Sequence, residues 1–479
     1  MKYWFYILIT IWVCGACVPS PEHVQKVDKA APIYPDYADV TIPVNIAPLN
    51  FLLRDDALSV YVYIDNVVFY AGRGNEVTFD MEDWKAMLAK NVGKSVEVKV
   101  VAKYADGWKE YRSFRWKVVA DEVDPYLTYR LIEPDYEVFN NLVLQERCVE
   151  NFDVRNFSDY GMVGNRCMNC HTYASQDPST SMFYLRGEDG GAILNVDGKL
   201  KKLELKREDM VSGSVYFGFS PSARYVVFST NVIIPAFHAQ GSKRMEVFDT
   251  KSDVYVADLT DSRFIDSPLL ADSTQLETFP TFSPDGKHIY YCTAHVLDSL
   301  GGLTSLKYSL CRVAFDEENG TIGTEVDTVY NAKMMGKSVC HPRVSPDGQY
   351  LVYTVANYGT FPIWHREADL QLMNLQTGEI NLMEEVNSSM SDTYHSWSSN
   401  SRWLAFASKR DDGLYGKVYY TYINKKGVCS KPFALPQAHP SFYDDCLKSF
   451  NAPEQGKGRL PFSITDVHQV LSASPTKFQ

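Results

Sequence analysis

Val344-Ser345-Pro346-Asp347-Gly348-Gln349-Tyr350-Leu351-Val352-Tyr353 reads as the end of one strand, a tight turn and the start of a second strand. Proline presets φ for the turn, aspartate bonds its own backbone, and glycine accepts the left-handed position that closes it. The apolar run after the turn suits a pleated, half-buried surface. Phe282-Ser283-Pro284-Asp285-Gly286 before Ile289-Tyr290-Tyr291 repeats the unit. Phe219-Ser220-Pro221-Ser222 before Tyr225-Val226-Val227-Phe228 and Trp397-Ser398-Ser399-Asn400-Ser401 before Trp403-Leu404-Ala405-Phe406 repeat it more loosely. The turn serines lie 63, 62 and 53 residues apart. After each second strand comes a loop and a further apolar strand: Val254 to Leu259, Leu310 to Phe315, Leu370 to Leu375 and Val418 to Ile423. Four strands at this period predict the blades of a β-propeller.

With its Ser-Pro-Asp-Gly blades the chain resembles the TolB-like propeller family over roughly residues 200–435. Counting the repeats with the segments named next gives six blades as the expectation, with five or seven as the alternatives. Phe183 to Leu205 is expected to supply another blade, and Tyr126 to Ile132 with the segment after Cys429 to close the ring.

The strand order also assigns faces. If the Ser-Pro-Asp-Gly turn joins the first two strands of each blade on one face, the remaining loops at the channel lie on the other. Those loops carry chemistry: Asn231 to Asp253 holds His238 and Arg244, Ala294 to Ser309 holds His295, and Asn357 to Asp369 holds His365 and Arg366. His341 and His395 enter the inner strands. These five histidines are expected to share a face. Each alone is more often a satisfied loop or core residue, and the family resemblance makes a histidine near His341 an architectural feature.

Just before the repeats stands Cys167-Met168-Asn169-Cys170-His171. Two thiols three residues apart followed by an imidazole is the attachment pattern of a c-type haem: Cys167 and Cys170 for the thioethers, His171 as proximal iron ligand. A chance match, a redox dithiol or half of a zinc site would give the same letters, but no second Cys-x-x-Cys completes a zinc ribbon and no βαβ pattern frames a redox dithiol. The distal-ligand candidates are His341, His395 and Met182, with His238 and His365 behind them and Tyr173 or an open position as alternatives. Arg244, Arg366 and Arg410 are candidates to pair haem propionates, or else are solvated loop arginines.

The opening residues read as an export signal. Lys2 precedes the apolar run Tyr3 to Val13, and Cys14-Gly15-Ala16-Cys17 resembles a lipoprotein cleavage site, with Cys17 as the lipidated residue. Export agrees with the motif, because c-type haem is attached outside the cytoplasm. The expected organisation is a signal at 1–17, a proline-rich tether at 18–37, and a small immunoglobulin-like β-sandwich at 38–120. The haem-motif segment and first propeller strands follow at 121–200, the propeller at 201–445 and a tail at 446–479. In the sandwich, Val96, Val98 and Val100 face Phe114, Trp116 and Val118 across an Asp106-Gly107 turn, and a helix spans Asp80 to Leu88. Cys148, Cys292, Cys311, Cys340, Cys429 and Cys446 remain for possible pairing in an oxidising compartment.

The whole is an all-β protein of 479 residues, 13% aromatic and with net charge −12, which argues against nucleic-acid binding. Sandwich, Cys-x-x-Cys-His and propeller together resemble exported lipoproteins of Bacteroidetes that are labelled TolB-like or cytochrome c biogenesis proteins. The expected function is a lipid-anchored periplasmic protein carrying one haem c for electron transfer or redox sensing, with a redox partner at the propeller face. The alternative is a TolB-like scaffold for envelope proteins, with haem structural or absent. An enzyme, for example one with an open iron position or using His341, His395 and Cys340, ranks last, since no nucleophile–base or paired-carboxylate pattern stands out.

Overall fold

The turn motif works through its serine and aspartate. In a computed structural model that describes residues 20–134, 141–187, 190–240 and 243–479, Ser283 Oγ donates to Asp285 Oδ1 at 2.6 Å and accepts from the His288 amide at 3.0 Å. Ser345 does the same with Asp347 and Tyr350, at 2.6 and 2.9 Å. Ser398 repeats it with Asn400 and Trp403, at 2.6 and 2.9 Å. The buried serine thus satisfies an amide inside the turn that no strand partner reaches. Gly286 and Gly348 take φ near +70° at the turn's end, and Ser401 and Ala223 accept the same left-handed conformation without glycine.

Six blades result. Counting from the ring closure, blade 1 has its innermost strand, Ser449–Gly456, from the C-terminal part of the chain, hydrogen-bonded to Tyr126–Ile132, then Val143–Cys148 and Val154–Asp159. Blade 2 runs Met168–Ala174, Asp177–Leu185, Gly191–Val196 and Lys199–Glu204, with Thr476–Lys477 added outside. Blades 3 to 6 have inner strands Ser214–Phe219, Gln275–Phe282, Ser338–Val344 and Asp392–Trp397. Six blades, closed as anticipated by the segment after Cys429 against Tyr126–Ile132, agree with the reading of the repeats.

Other expectations need revising. The haem motif does not merely precede the blades: from Met168 onward it is the innermost strand of blade 2. The irregular stretch Asn231 to Asp253 is not a loop. It extends the second and third strands of blade 3 to sixteen residues each, Tyr225–Gln240 and Lys243–Asp258, as one long hairpin. Residues 18–37 already carry the strands Gln25–Ala30 and Ile33–Tyr34, and residues 446–479 hold the inner strand of blade 1. Pairing with partners tens to hundreds of residues away has no local signature, so proline-rich composition alone suggested a tether and a tail.

The N-terminal domain is a β-sandwich. A seven-stranded sheet faces a three-stranded one formed by Ile33–Tyr34, Phe51–Leu53 and Glu76–Val77. The helix Met81–Lys90 is capped by Asp80, which accepts from the Glu82 and Asp83 amides at 2.9 and 3.1 Å. Asp106–Gly107 turns Ser95–Tyr104 into Gly107–Arg112, and Phe114–Val119 then crosses to the other side of Ser95–Tyr104. Trp84 and Trp116 meet at the centre, ring centroids 5.3 Å apart, each indole N–H bonded to a carbonyl, of Ile46 and of Tyr37. This core is continuous with that of blades 5 and 6, through Val352, Trp403 and Phe406. Trp403 Nε1 donates to the Asp121 carbonyl at 2.8 Å, and Asp124 accepts from Ser399 N and Oγ at 2.8 and 2.6 Å, so the linker is fixed to blade 6. All eight described cysteines are free thiols.

Candidate functional site in the axial channel

Each inner strand carries one residue with positive φ: Cys170, Tyr216, Phe279, His341, Tyr394 and Ala452, with φ between 46° and 55°. The register slips there in every blade, for example between Asn169 and Thr172, and between Cys340 and Arg343. A bulge of this kind bends the strand and re-aims a side chain. Repeated six times, it sets a collar of side chains around the axis. Tyr216, Phe279, His341 and Tyr394 touch in succession, with ring centroids 4.2, 4.3 and 4.4 Å apart. Ala452 and Cys170, on the adjoining blades 1 and 2, are small. The collar is therefore packed on four sides and open on two.

A cavity of about 110 Å³ lies at this level, lined by all six collar residues and by Arg130, His171, Arg343, His395 and Glu454. Among the described residues, three of its polar groups are buried without full hydrogen bonding. His171 interacts with the Thr128 backbone, and its Nε2 meets no partner. His395 Nε2 is 3.0 Å from the Val352 carbonyl, and its Nδ1 is unpaired. Neither ring nitrogen of His341 has a partner. Burial holds all three imidazoles neutral: His171 is pushed down to about 4 and His395 to about 3, while His341 is lowered by burial and then by His395 and Arg343. Arg343 lies 3.7 Å from Glu454, whose carboxyl is raised by burial against that arginine's pull.

The channel widens on both sides of the collar. Toward the Ser-Pro-Asp-Gly turns a polar cavity of about 200 Å³ includes Gln176, Ser283, Ser399 and Lys457. Toward the loops a cavity of about 280 Å³ is roofed by Ile233, Met245 and Val247 of the long hairpin and walled by Tyr184, Arg186, Trp364 and Lys409. Arg130 and Tyr216 line both this mouth and the collar.

The expected site residues are distributed over this channel and beyond it. His171, His341 and His395 meet at the collar with Cys170. His238 and His365 meet elsewhere, 2.6 and 3.3 Å from the buried Glu246, which also accepts from Tyr358 at 2.6 Å and ties the hairpin to the loop of blade 5. His295 is exposed at a strand end beside Gln275. The five loop histidines therefore do not share one face. The reason is depth: the bulges draw His341 and His395 into the channel, while hairpin and loops hold the others outside. Met182 is not at the channel; it lies in the second strand of blade 2, in the core shared with Phe217 and Phe228. Tyr173 donates to Thr128 Oγ1 at 2.8 Å. Arg410 is paired with Asp392 at 2.9 Å, Arg366 is exposed, and Arg244 reaches the Pro134 carbonyl at 3.5 Å. Cys17 lies outside the described residues.

The donor set can be tested against a c-type haem. His171 fits, as a buried imidazole with one nitrogen held and the other free. Cys170 fits, since it lines the cavity. Cys167 does not: it stands at the foot of the strand, its carbonyl bonded to the Arg186 amide at 2.9 Å, packed in the cluster of Met168 and Phe183 rather than in the channel lining. The collar alone, at about 110 Å³, does not enclose a group of haem size, which would have to extend into the wider channel beside it. Among the described residues no group of three or more His, Cys, Asp or Glu is placed to hold a metal ion.

The collar was within reach of the sequence. Tyr216, Phe279, His341 and Tyr394 each stand four residues before a turn serine. Arg130, Arg186 and Lys409 carry no such mark, because they reach the channel from unrelated positions in blades 1, 2 and 6.

No sequence-family profile and no curated protein matches the chain. Solved structures resemble it distantly. A puromycin-hydrolysing peptidase of Mycobacterium tuberculosis is 11% identical at TM-score 0.37, with 72% of this chain aligned to 52% of that one. A periplasmic gluconolactonase of Pseudomonas aeruginosa is 13% identical at TM-score 0.34, with 68% of this chain aligned to 99% of that one. The β-propeller domain of the trilobed protease of Pyrococcus furiosus is 12% identical at TM-score 0.30, covering 56% and 71%. The chain spans about half the length of the peptidase.

Proposed function

We propose that this β-propeller is an exported binding protein, anchored to a membrane through Cys17, whose ligand occupies the axial channel. The observation that carries the reading is the collar: three buried neutral imidazoles with unsatisfied nitrogens around a gap left by Ala452 and Cys170. Buried polar atoms are ordinarily satisfied, and each left unpaired costs on the order of 1–3 kcal/mol. A ligand that hydrogen-bonds His171, His341 and His395 recovers that cost.

The collar itself supplies the test. Tyr216, Phe279 and Tyr394 show that an aromatic residue tolerates the bulge conformation, so Ala452→Phe fills the gap with the fold's own solution. Native mass spectrometry of the protein prepared from envelopes is expected to show a non-covalent adduct that Ala452→Phe loses at unchanged thermal stability. An adduct retained by the filled collar, or no adduct in the unsubstituted protein, overturns the reading. Anchoring is checked by incorporation of labelled palmitate, expected to disappear in Cys17→Ser.

One observation favours a second reading, a covalent haem: the held and half-free imidazole of His171 beside the Cys170 thiol. Haem would supply a one-electron redox centre. A pyridine haemochrome spectrum from a host that attaches c-type haem separates the two, and its absence removes the haem reading while leaving the channel.

A further inference from the structure

Lys409 has a setting that packing alone does not explain. It follows the strand Trp403–Ser408 of blade 6, is 5% exposed, and lines the mouth cavity. Its ammonium sits 2.8 Å from the centre of the Trp364 ring. Among the described residues it forms no ion pair within 4 Å. Burying a charge on those terms is unfavourable, and a cation–π contact offsets only part of the cost. Burial therefore pushes the amine well below its ordinary range, with Asp412 opposing and Arg244 reinforcing the shift.

The rest of the cavity repeats the theme. Among the described residues, Arg130 and Arg186 line it, against the carboxylate of Glu133. Asn451 is 1% exposed, and among the described residues neither its amide nitrogen nor its oxygen has a partner. Most of the remaining wall is apolar or aromatic, with Tyr184, Tyr216, Met245 and Trp364 among it, and Ser212, Asn231 and Ser449 add neutral polar groups. The cavity therefore presents excess positive charge and an unsatisfied amide within an apolar and aromatic shell. At about 280 Å³ it stands at the small end of ligand pockets.

We infer that the channel mouth is a binding site for a small carboxylic acid with an aromatic or apolar body. Its carboxylate would be received by Lys409, Arg186 and Arg130, and its body would lie against Trp364 and Tyr216. The inference rests on reading the channel as the binding site, and it names the ligand class for its loop side. A carboxylate there supplies the counter-charge that Lys409 lacks, and charge-assisted bonds in a desolvated site are the strong ones. Inorganic phosphate shares the charge but leaves the apolar walls unfilled, so the walls select the organic acid.

Isothermal titration with phenylacetate and indole-3-acetate tests this, with phenylacetamide and inorganic phosphate as controls. Both acids are expected to bind and both controls to fail. Lys409→Met removes a buried amine that forms no ion pair among the described residues, and so should fold at least as well as the parent. It is expected to weaken the acids at least about tenfold. No heat with either acid, equal binding by Lys409→Met, or binding of phosphate in preference to the acids overturns the proposal. An adduct that survives in the channel while the acids fail sinks the mouth site alone. Loss of both sinks the channel reading with it.

Discussion

A chain ending at Lys448 is expected not to close its propeller. The strand Ser449–Gly456 is the innermost of blade 1, and six of its residues are in register with Tyr126–Ile132. Gln455 Nε2 ties it to the next blade through the Ser396 and Trp403 carbonyls, at 2.9 and 3.3 Å, and Phe450 is buried against Tyr129 at 4.7 Å between centroids. Losing the strand forfeits ladder bonds of about 1 kcal/mol each and aromatic burial of about 3–5 kcal/mol, comparable with the whole stability of an ordinary domain. It also leaves the inward edge of Tyr126–Ile132 unpaired. A chain ending at Ser474 loses the exposed pair Thr476–Lys477 at the outer edge of blade 2, the contact of Phe478 with Phe264 at 5.7 Å, and the backbone bonds of Gln479 with Phe264 and Ser262 at 2.9 and 3.0 Å, all at the periphery. It should melt within a few degrees of the full chain. Thermal unfolding and limited proteolysis of the two truncations make the comparison. Cooperative melting of the Lys448 truncation near the parent temperature would refute the closure.

Glu277→Gln is expected to be more stable than the parent at alkaline pH. Glu277 stands in the inner strand of blade 4, is 1% exposed, and its Oε2 has no partner. Burial first, and then repulsion from Asp253, push its carboxyl up to about 8 from an ordinary 4.5. Because the folded value lies above the unfolded one, the folded state holds the proton more tightly between pH 4.5 and 8. The stability that the neutral group contributes is complete below 4.5 and is lost as pH rises through about 8. Glutamine mimics the neutral acid at every pH. The difference between the two proteins should be near zero at pH 4 and grow to on the order of 5 kcal/mol by pH 9. Denaturant unfolding at pH 4, 7 and 9 measures it, and parallel stability–pH curves would show that the buried carboxyl does not titrate as described.

The propeller was legible because its blades are local. Each turn is built from residues within five positions of one another, Ser283 to His288 for instance, so composition and spacing alone reveal it. The sandwich helix was equally local, down to its Asp80 cap. The long hairpin of blade 3 was missed because Asn231 to Asp253 mixes polar and apolar residues. It owes its order to pairing across the hairpin and to Asp249, which accepts from Asn231 and Thr360 at 2.9 and 3.2 Å.

Cys167 to His171 shows the limit most clearly. As letters, the five residues spell an attachment motif. In the fold, Cys170 and His171 take the collar position and the one after it, as Tyr216-Phe217, Phe279-Pro280, His341-Pro342, Tyr394-His395 and Ala452-Pro453 do in the other blades. By itself the sequence determined the blade repeat, its number and the identity of the reactive side chains, since turns and strand patterns depend on neighbours in the chain. Only the tertiary structure decided which of those side chains meet. The six bulges bring together residues up to 282 positions apart, from Cys170 to Ala452, and Lys409 and Arg130 line one mouth cavity from either side of the ring closure. A channel is a property of the closed ring, and no single blade encodes it.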